Sequence, residues 1–107
     1  MSTDTYRYVA EAATIPPGSS AAFQVAGRDI LICHTRDEFF AVENLCSHAR
    51  SKLEDGRLRA YRLVCPLHGA AFDVRDGAVK GKPATLPIKT YAVRVVDARI
   101  EVDIEQG

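Results

Sequence analysis

Two short segments of the chain carry a thiol and an imidazole each. Cys46 and His48 stand in "CSHA", and Cys65 and His68 stand in "CPLHG", with sixteen residues between His48 and Cys65. The chain has only three cysteines and three histidines, so two of each are gathered into this one pattern. Thiolate and imidazole are both good zinc ligands, and zinc sites of two cysteines and two histidines are common. Such sites usually take both cysteines from one arm and both histidines from the other. Here each arm supplies one of each. Split this way, the two cysteines can meet on one metal and the two histidines on a second. A structural zinc site is the plainer alternative for the same four residues.

These residues need loops to present them, and the periodicity around them is that of strands. "YRYVA" (6–10), "AAFQV" (21–25), "DILICHT" (29–35), "EFFAVE" (38–43), "RLVC" (62–65), "IKTYAVRVV" (88–96) and "RIEVDI" (99–104) are short and rich in β-branched and aromatic residues. Turn-forming stretches separate them, and two hairpins are expected, around Arg36–Asp37 and Asp97–Ala98. No window carries a 3.6-residue apolar stripe, and "HARSKLEDG" has room for one helical turn at most. The expectation is all-β: one domain over residues 1–107, made of small antiparallel sheets with two ligand loops at one end. Cys46 then follows a strand, and Cys65 ends one just before Pro66, which has no amide proton for a ladder. Gly69 is expected to let the backbone approach a metal centre closely.

Composition narrows the class. Apolar residues make up 47% and charged residues 26%, which suits a folded domain. Lysine plus arginine equals aspartate plus glutamate at 14 each, so no basic excess points to nucleic acid. The N-terminus shows no signal-peptide pattern, and the runs "DILIC" and "YAVRVV" are too short to cross a bilayer. A soluble, cytoplasmic chain without a disulfide framework is expected.

From about Phe23 to Ile104 the chain resembles the Rieske ferredoxins, including those of bacterial aromatic-ring-hydroxylating dioxygenases. "CSHA", "CPLHGAAFDVRDG" and "KGKPATLPIKTYAVRV" carry the resemblance. It implies one [2Fe–2S] cluster, with Cys46 and Cys65 on the buried iron and His48 and His68 on the outer one. Replacing two thiolates by neutral imidazoles makes the cluster less negative and raises its potential. "GKPA" (81–84) resembles the proline-containing loop that covers the cluster in this family. The resemblance also implies a function: single electrons taken from a flavin-containing ferredoxin reductase and passed to a terminal oxygenase. Such a protein is a carrier and not an enzyme. Another relative, the small subunit of assimilatory nitrite reductase, is similar in fold, and some of its members lack the ligands that are all present here.

Departures from the high-potential members bear on the redox range. Quinol-oxidising Rieske proteins resemble C-T-H-x-G-C and C-P-C-H-G-S-x-Y-D, with a disulfide between the ligand loops. The matching positions here are Ser51 and Leu67, and their serine and tyrosine hydroxyls correspond to Ala70 and Phe72. Fewer hydrogen-bond donors around the sulfurs imply a potential near the low end of the Rieske range. A terminal oxygenase adds a mononuclear iron held by two histidines and a carboxylate, and only His34 remains for it.

The other reactive side chains have ordinary explanations. Alternation puts Cys33 with Leu31 as a buried inert thiol, and His34 with Ile30 and Ile32 as a strand-end histidine. Leu67 and Pro83 are expected as apolar cover over the site. Arg50, Lys52, Arg57, Arg59 and Arg62 are either a solvated surface or a basic rim that steers an acidic partner patch. The acidic tail from Asp97 reads as solvated surface.

Overall fold

Alternation of apolar and polar residues becomes two antiparallel sheets. The computed structural model describes residues 5–47, 51–66, 69–82 and 84–105. The strands are β1 (Tyr6–Glu11), β2 (Ser20–Val25), β3 (Arg28–His34), β4 (Phe39–Glu43), β5 (Arg57–Arg59), β6 (Arg62–Val64), β7 (Ala71–Asp73), β8 (Val79–Gly81), β9 (Thr90–Val96) and β10 (Arg99–Asp103). A six-stranded sheet has the order β1-β10-β9-β4-β3-β2, and a four-stranded sheet runs β5-β6-β7-β8. A single turn of 3₁₀ helix covers Ala12–Thr14. All-β architecture is therefore as expected, and no helix among the described residues is long and apolar enough to cross a membrane.

Both expected hairpins form. His34 pairs with Phe39 across Arg36–Asp37, and Val96 pairs with Arg99 across Asp97–Ala98. The latter turn holds both central residues at positive φ, 52° and 64°, the primed geometry that matches strand twist. Three short strands were not expected: β5, β7 and β8. Ile88 and Lys89, assigned to a strand from the sequence, precede β9 instead. Residues 51–56 carry turns and bends in place of a helical turn.

Two apolar clusters build the core. Ile15, Val25, Ile30, Ile32, Ala41, Tyr91, Ile100, Val102 and Ile104 form one, drawn from strands across the six-stranded sheet, so that sheet curls around it. Leu31, Cys33 and Val42 face the other way and join Cys46, Leu53, Leu63, Cys65 and Phe72 between the two sheets. β3 is thus buried on both faces. Cys33 packs with Leu31 as alternation predicts, wholly buried, and burial pushes its thiol up to about 12. His34 ends β3, stacked on Phe39 with ring centroids 3.9 Å apart, its Nδ1 2.6 Å from the Ile15 carbonyl oxygen.

Candidate functional site

Each candidate ligand loop begins where a strand runs out. β4 stops at Glu43, and the next residue, Asn44, is buried and hydrogen-bonded on every side. Its side-chain oxygen accepts the Leu53 amide at 2.9 Å, and its Nδ2 donates to Glu54 and to Asp29 at 2.9 and 3.2 Å. Its own amide donates to the Asp29 carbonyl at 3.0 Å. Asn44 therefore clamps both ends of the first loop to β3. Within that loop the Cys46 amide donates to the Ser51 carbonyl at 2.7 Å.

The second loop is shorter. Cys65 follows β6, its amide donates to the Ala70 carbonyl at 2.7 Å, and its carbonyl accepts the Gly69 amide at 3.2 Å. Gly69 has φ of +79°, and no described residue would crowd a Cβ there. The turn itself thus favours glycine here, whatever the backbone approaches on its other side.

The loops bring both cysteines into one buried apolar cluster. Cys46 is fully buried and Cys65 is 2% exposed, packed among Leu53, Leu63, Ala70 and Phe72. Ser51 joins the loops: its Oγ lies 3.5 Å from Cys65 Sγ. Ser47 donates to the Leu86 carbonyl at 2.6 Å, tying the first loop to the segment that carries buried Ala84 and Ile88. His48 and His68 lie outside the described residues, as do Leu67, Pro83 and Arg50. Among the described residues, no group of three or more His, Cys, Asp or Glu could hold a metal, which leaves the two thiols as the described part of the site.

Arg57, Arg59 and Arg62 are exposed on β5 and β6, with Arg59 directly opposite Arg62. Lys52 is committed to an ion pair with Asp29. Arg75 makes a two-pronged bond to buried Asp73, at 3.0 and 2.7 Å, and lies over the Tyr61 ring. Its guanidinium holds the Asp73 carboxyl below the usual range. The acidic tail is less solvated than the sequence suggests: Glu101 accepts Arg94, and buried Asp103 accepts Thr5 and the Glu105 amide.

Sequence reasoning missed Asn44 and the hydroxyl contact of Ser51. A polar residue two positions before a candidate ligand was the available sign of the first. The second depends on a loop-to-loop contact that spacing does not reveal.

Two buried thiols on facing loops, lined by small and apolar side chains, fit a group held by sulfur and shielded from water. Known proteins agree. Residues 5–92 match the family model described as the Rieske [2Fe-2S] domain. The chain is 38% identical over 93 residues to the ferredoxin component of biphenyl 2,3-dioxygenase from Rhodococcus jostii (strain RHA1), covering 87% of each. Among solved structures it resembles the ferredoxin of carbazole 1,9a-dioxygenase from Nocardioides aromaticivorans IC177, with TM-score 0.88, 38% identity, and 92% and 97% coverage. A chain in a complex of reduced oxygenase and oxidized ferredoxin in carbazole 1,9a-dioxygenase aligns with TM-score 0.90, 28% identity, and 96% coverage of each. With the thiol loops, the two-sheet fold and a family match over most of its length in agreement, the chain belongs to the Rieske [2Fe–2S] domain family.

Proposed function

We propose that the protein is a one-electron carrier of a ring-hydroxylating dioxygenase system. It takes electrons from a flavin-containing ferredoxin reductase and gives them to a terminal oxygenase. It is a cytoplasmic, soluble single domain over residues 1–107 with no catalytic site of its own. Cys46 and Cys65 hold one iron of the [2Fe–2S] cluster, and His48 and His68 hold the other. The observation that carries this is the pair of buried cysteines brought into one apolar cluster from two separate loops. Relatives named as dioxygenase ferredoxin components, and a solved ferredoxin–oxygenase complex, support the choice of partners.

The cluster, when bound, supplies one reversible electron per cycle. The chain's own residues do the rest. Leu53, Leu63 and Phe72 keep water from the sulfurs, and the Asn44 clamp holds the Cys46 loop in place. Ala70 and Phe72, both fully buried, offer no hydroxyl to the sulfurs, which supports a low potential. The exposed Arg57 and Arg59 form a basic rim that speeds encounter with an acidic patch. Charge reversal at both is expected to slow reduction and flatten its salt dependence.

An EPR-monitored redox titration of anaerobically purified protein, followed by reconstitution with a flavin reductase and an oxygenase, tests the proposal. A rhombic Rieske-type signal at low potential, with turnover that needs this protein, is expected. Zinc in place of iron, or turnover unaffected by omitting the protein, overturns it.

A further inference from the structure

Ser51 reaches both ligand loops at once. Its carbonyl oxygen accepts the Cys46 amide at 2.7 Å, which fixes residue 51 against the first loop. Its hydroxyl then sits 3.5 Å from the sulfur of Cys65, on the second. With a Cys65 thiol either atom can be the donor. With a metal-bound thiolate only the serine has a proton to give, so the direction of the bond is set by ligation. Cys65 packs in a core with Leu53, Leu63, Ala70 and Phe72, which carry no side-chain donor, and half-buried Ser51 presents its hydroxyl at the edge of that core.

We propose that Ser51 is a positioning residue that donates an O–H···S hydrogen bond to the Cys65 thiolate and raises the reduction potential of the cluster. It rests on the assignment of Cys65 as a ligand. One electron enters and the serine keeps its proton, so the balance is a single-electron couple with no proton transfer at Ser51. Reduction adds negative charge to the cluster and its sulfurs, and a donor aimed at one of them favours the reduced state. Ser51 thus offsets part of what Ala70 and Phe72 leave out.

The test compares holoprotein with Ser51, Ser51→Ala, Ser51→Thr and Ser51→Val by EPR-monitored titration. Threonine and valine match in shape and differ in the hydroxyl. Removing the hydroxyl is expected to shift the one-electron equilibrium toward the oxidised form by roughly three- to tenfold, the upper figure being about 59 mV. Ser51→Thr is expected to stay with the wild type, and Ser51→Val to move with Ser51→Ala. Equal potentials in the threonine and valine variants overturn the proposal. So does loss of the cluster from both hydroxyl-free variants while Ser51→Thr keeps it, since the hydroxyl then holds the loop without tuning the couple. A wild type with no Rieske-type signal overturns the ligand assignment itself, and the role of Ser51 with it.

Discussion

The two apolar clusters of this protein are built from different stock. The one inside the curled six-stranded sheet is filled by branched aliphatics: Ile30, Ile32, Ile100 and Val102 are all fully buried. The one between the sheets mixes Leu53, Leu63 and Phe72 with small residues and thiols: Ala70, Ala84, Cys46 and Cys65. Large β-branched side chains fill space and stiffen strands, which suits a core whose only task is to hold the sheet. Small residues and thiols suit a core that, on the proposed function, also holds a cluster. One core makes the fold, and the other makes the site.

That division is broken most sharply by removing a thiol. Cys46→Ala or Cys65→Ala is expected to abolish cluster loading, read as iron and acid-labile sulfide falling to near zero, while the far-UV strand signal persists. Ile32→Ala is expected to do the reverse. It should cost about 2–5 kcal/mol in denaturant unfolding, with the reduction potential unchanged. Parallel effects of the two substitutions would mean that the cores are one cooperative unit.

Asn44 stands between the two regions and sharpens the comparison. Asn44→Ala leaves the buried Leu53 amide without its acceptor, at a cost of about 1–3 kcal/mol. Because the clamp holds the ligand loop, cluster loss to a chelator should accelerate in Asn44→Ala far more than in Ile32→Ala. Equal acceleration in both variants would reduce Asn44 to ordinary packing.

Legibility followed the same boundary. Strands of the six-stranded sheet run five to seven residues, and "DILICH" and "YAVRVV" show their character in composition and turn spacing. β3 even sorted its own faces, with Cys33 and Leu31 on one and Ile30 and Ile32 on the other. β5, β7 and β8 hold three residues each, too few to show a period, and "AFD" is buried throughout and so alternates nothing. The candidate ligand pairs stood out because thiols and imidazoles are rare and closely spaced, and of the four the fold describes the two thiols, buried in one core. The clamp by Asn44 and the reach of Ser51 did not, since each depends on partners distant in sequence. Gly69 was noticed for its small size, and its positive φ, a second reason for glycine, is visible only in the fold.

Cys33 tests whether being in the second core is enough to make a thiol reactive. It shares the apolar cluster with Cys46 and Cys65, yet burial alone holds it as a neutral thiol, up to about 12. Its folded value lies above the unfolded one near 9, so the stability it contributes is complete below pH 9. That stability is lost as pH rises toward 12, at roughly 1 kcal/mol per pH unit. Unfolding followed between pH 8 and 11 should show this decline, and Cys33→Ala should remove that part of it. Alkylation at pH 8 should spare Cys33 in the native holoprotein and label it after denaturation. Labelling of the native state would mean that this core opens readily.

The smallest effect is expected where the regions meet in water. Lys52, on the first ligand loop, pairs with Asp29 on β3, and its side chain is 60% exposed. The Lys52 hydrogen bond is the main reason that the Asp29 carboxyl titrates below its usual range. Partial burial opposes that shift, and the Asn44 amide adds to it. A lowered folded value means that the contribution is present above about pH 3.8 and fades as pH falls through the folded value. Exposed pairs stabilise little, so Asp29→Asn should lower Tm by no more than about 4 °C at pH 7, and by less at pH 3. Asparagine can still accept from Asn44, so the substitution removes charge while keeping the clamp. A larger loss that ignores pH would therefore implicate the clamp geometry, and would make the seam between the two regions a structural element and not merely a charged edge.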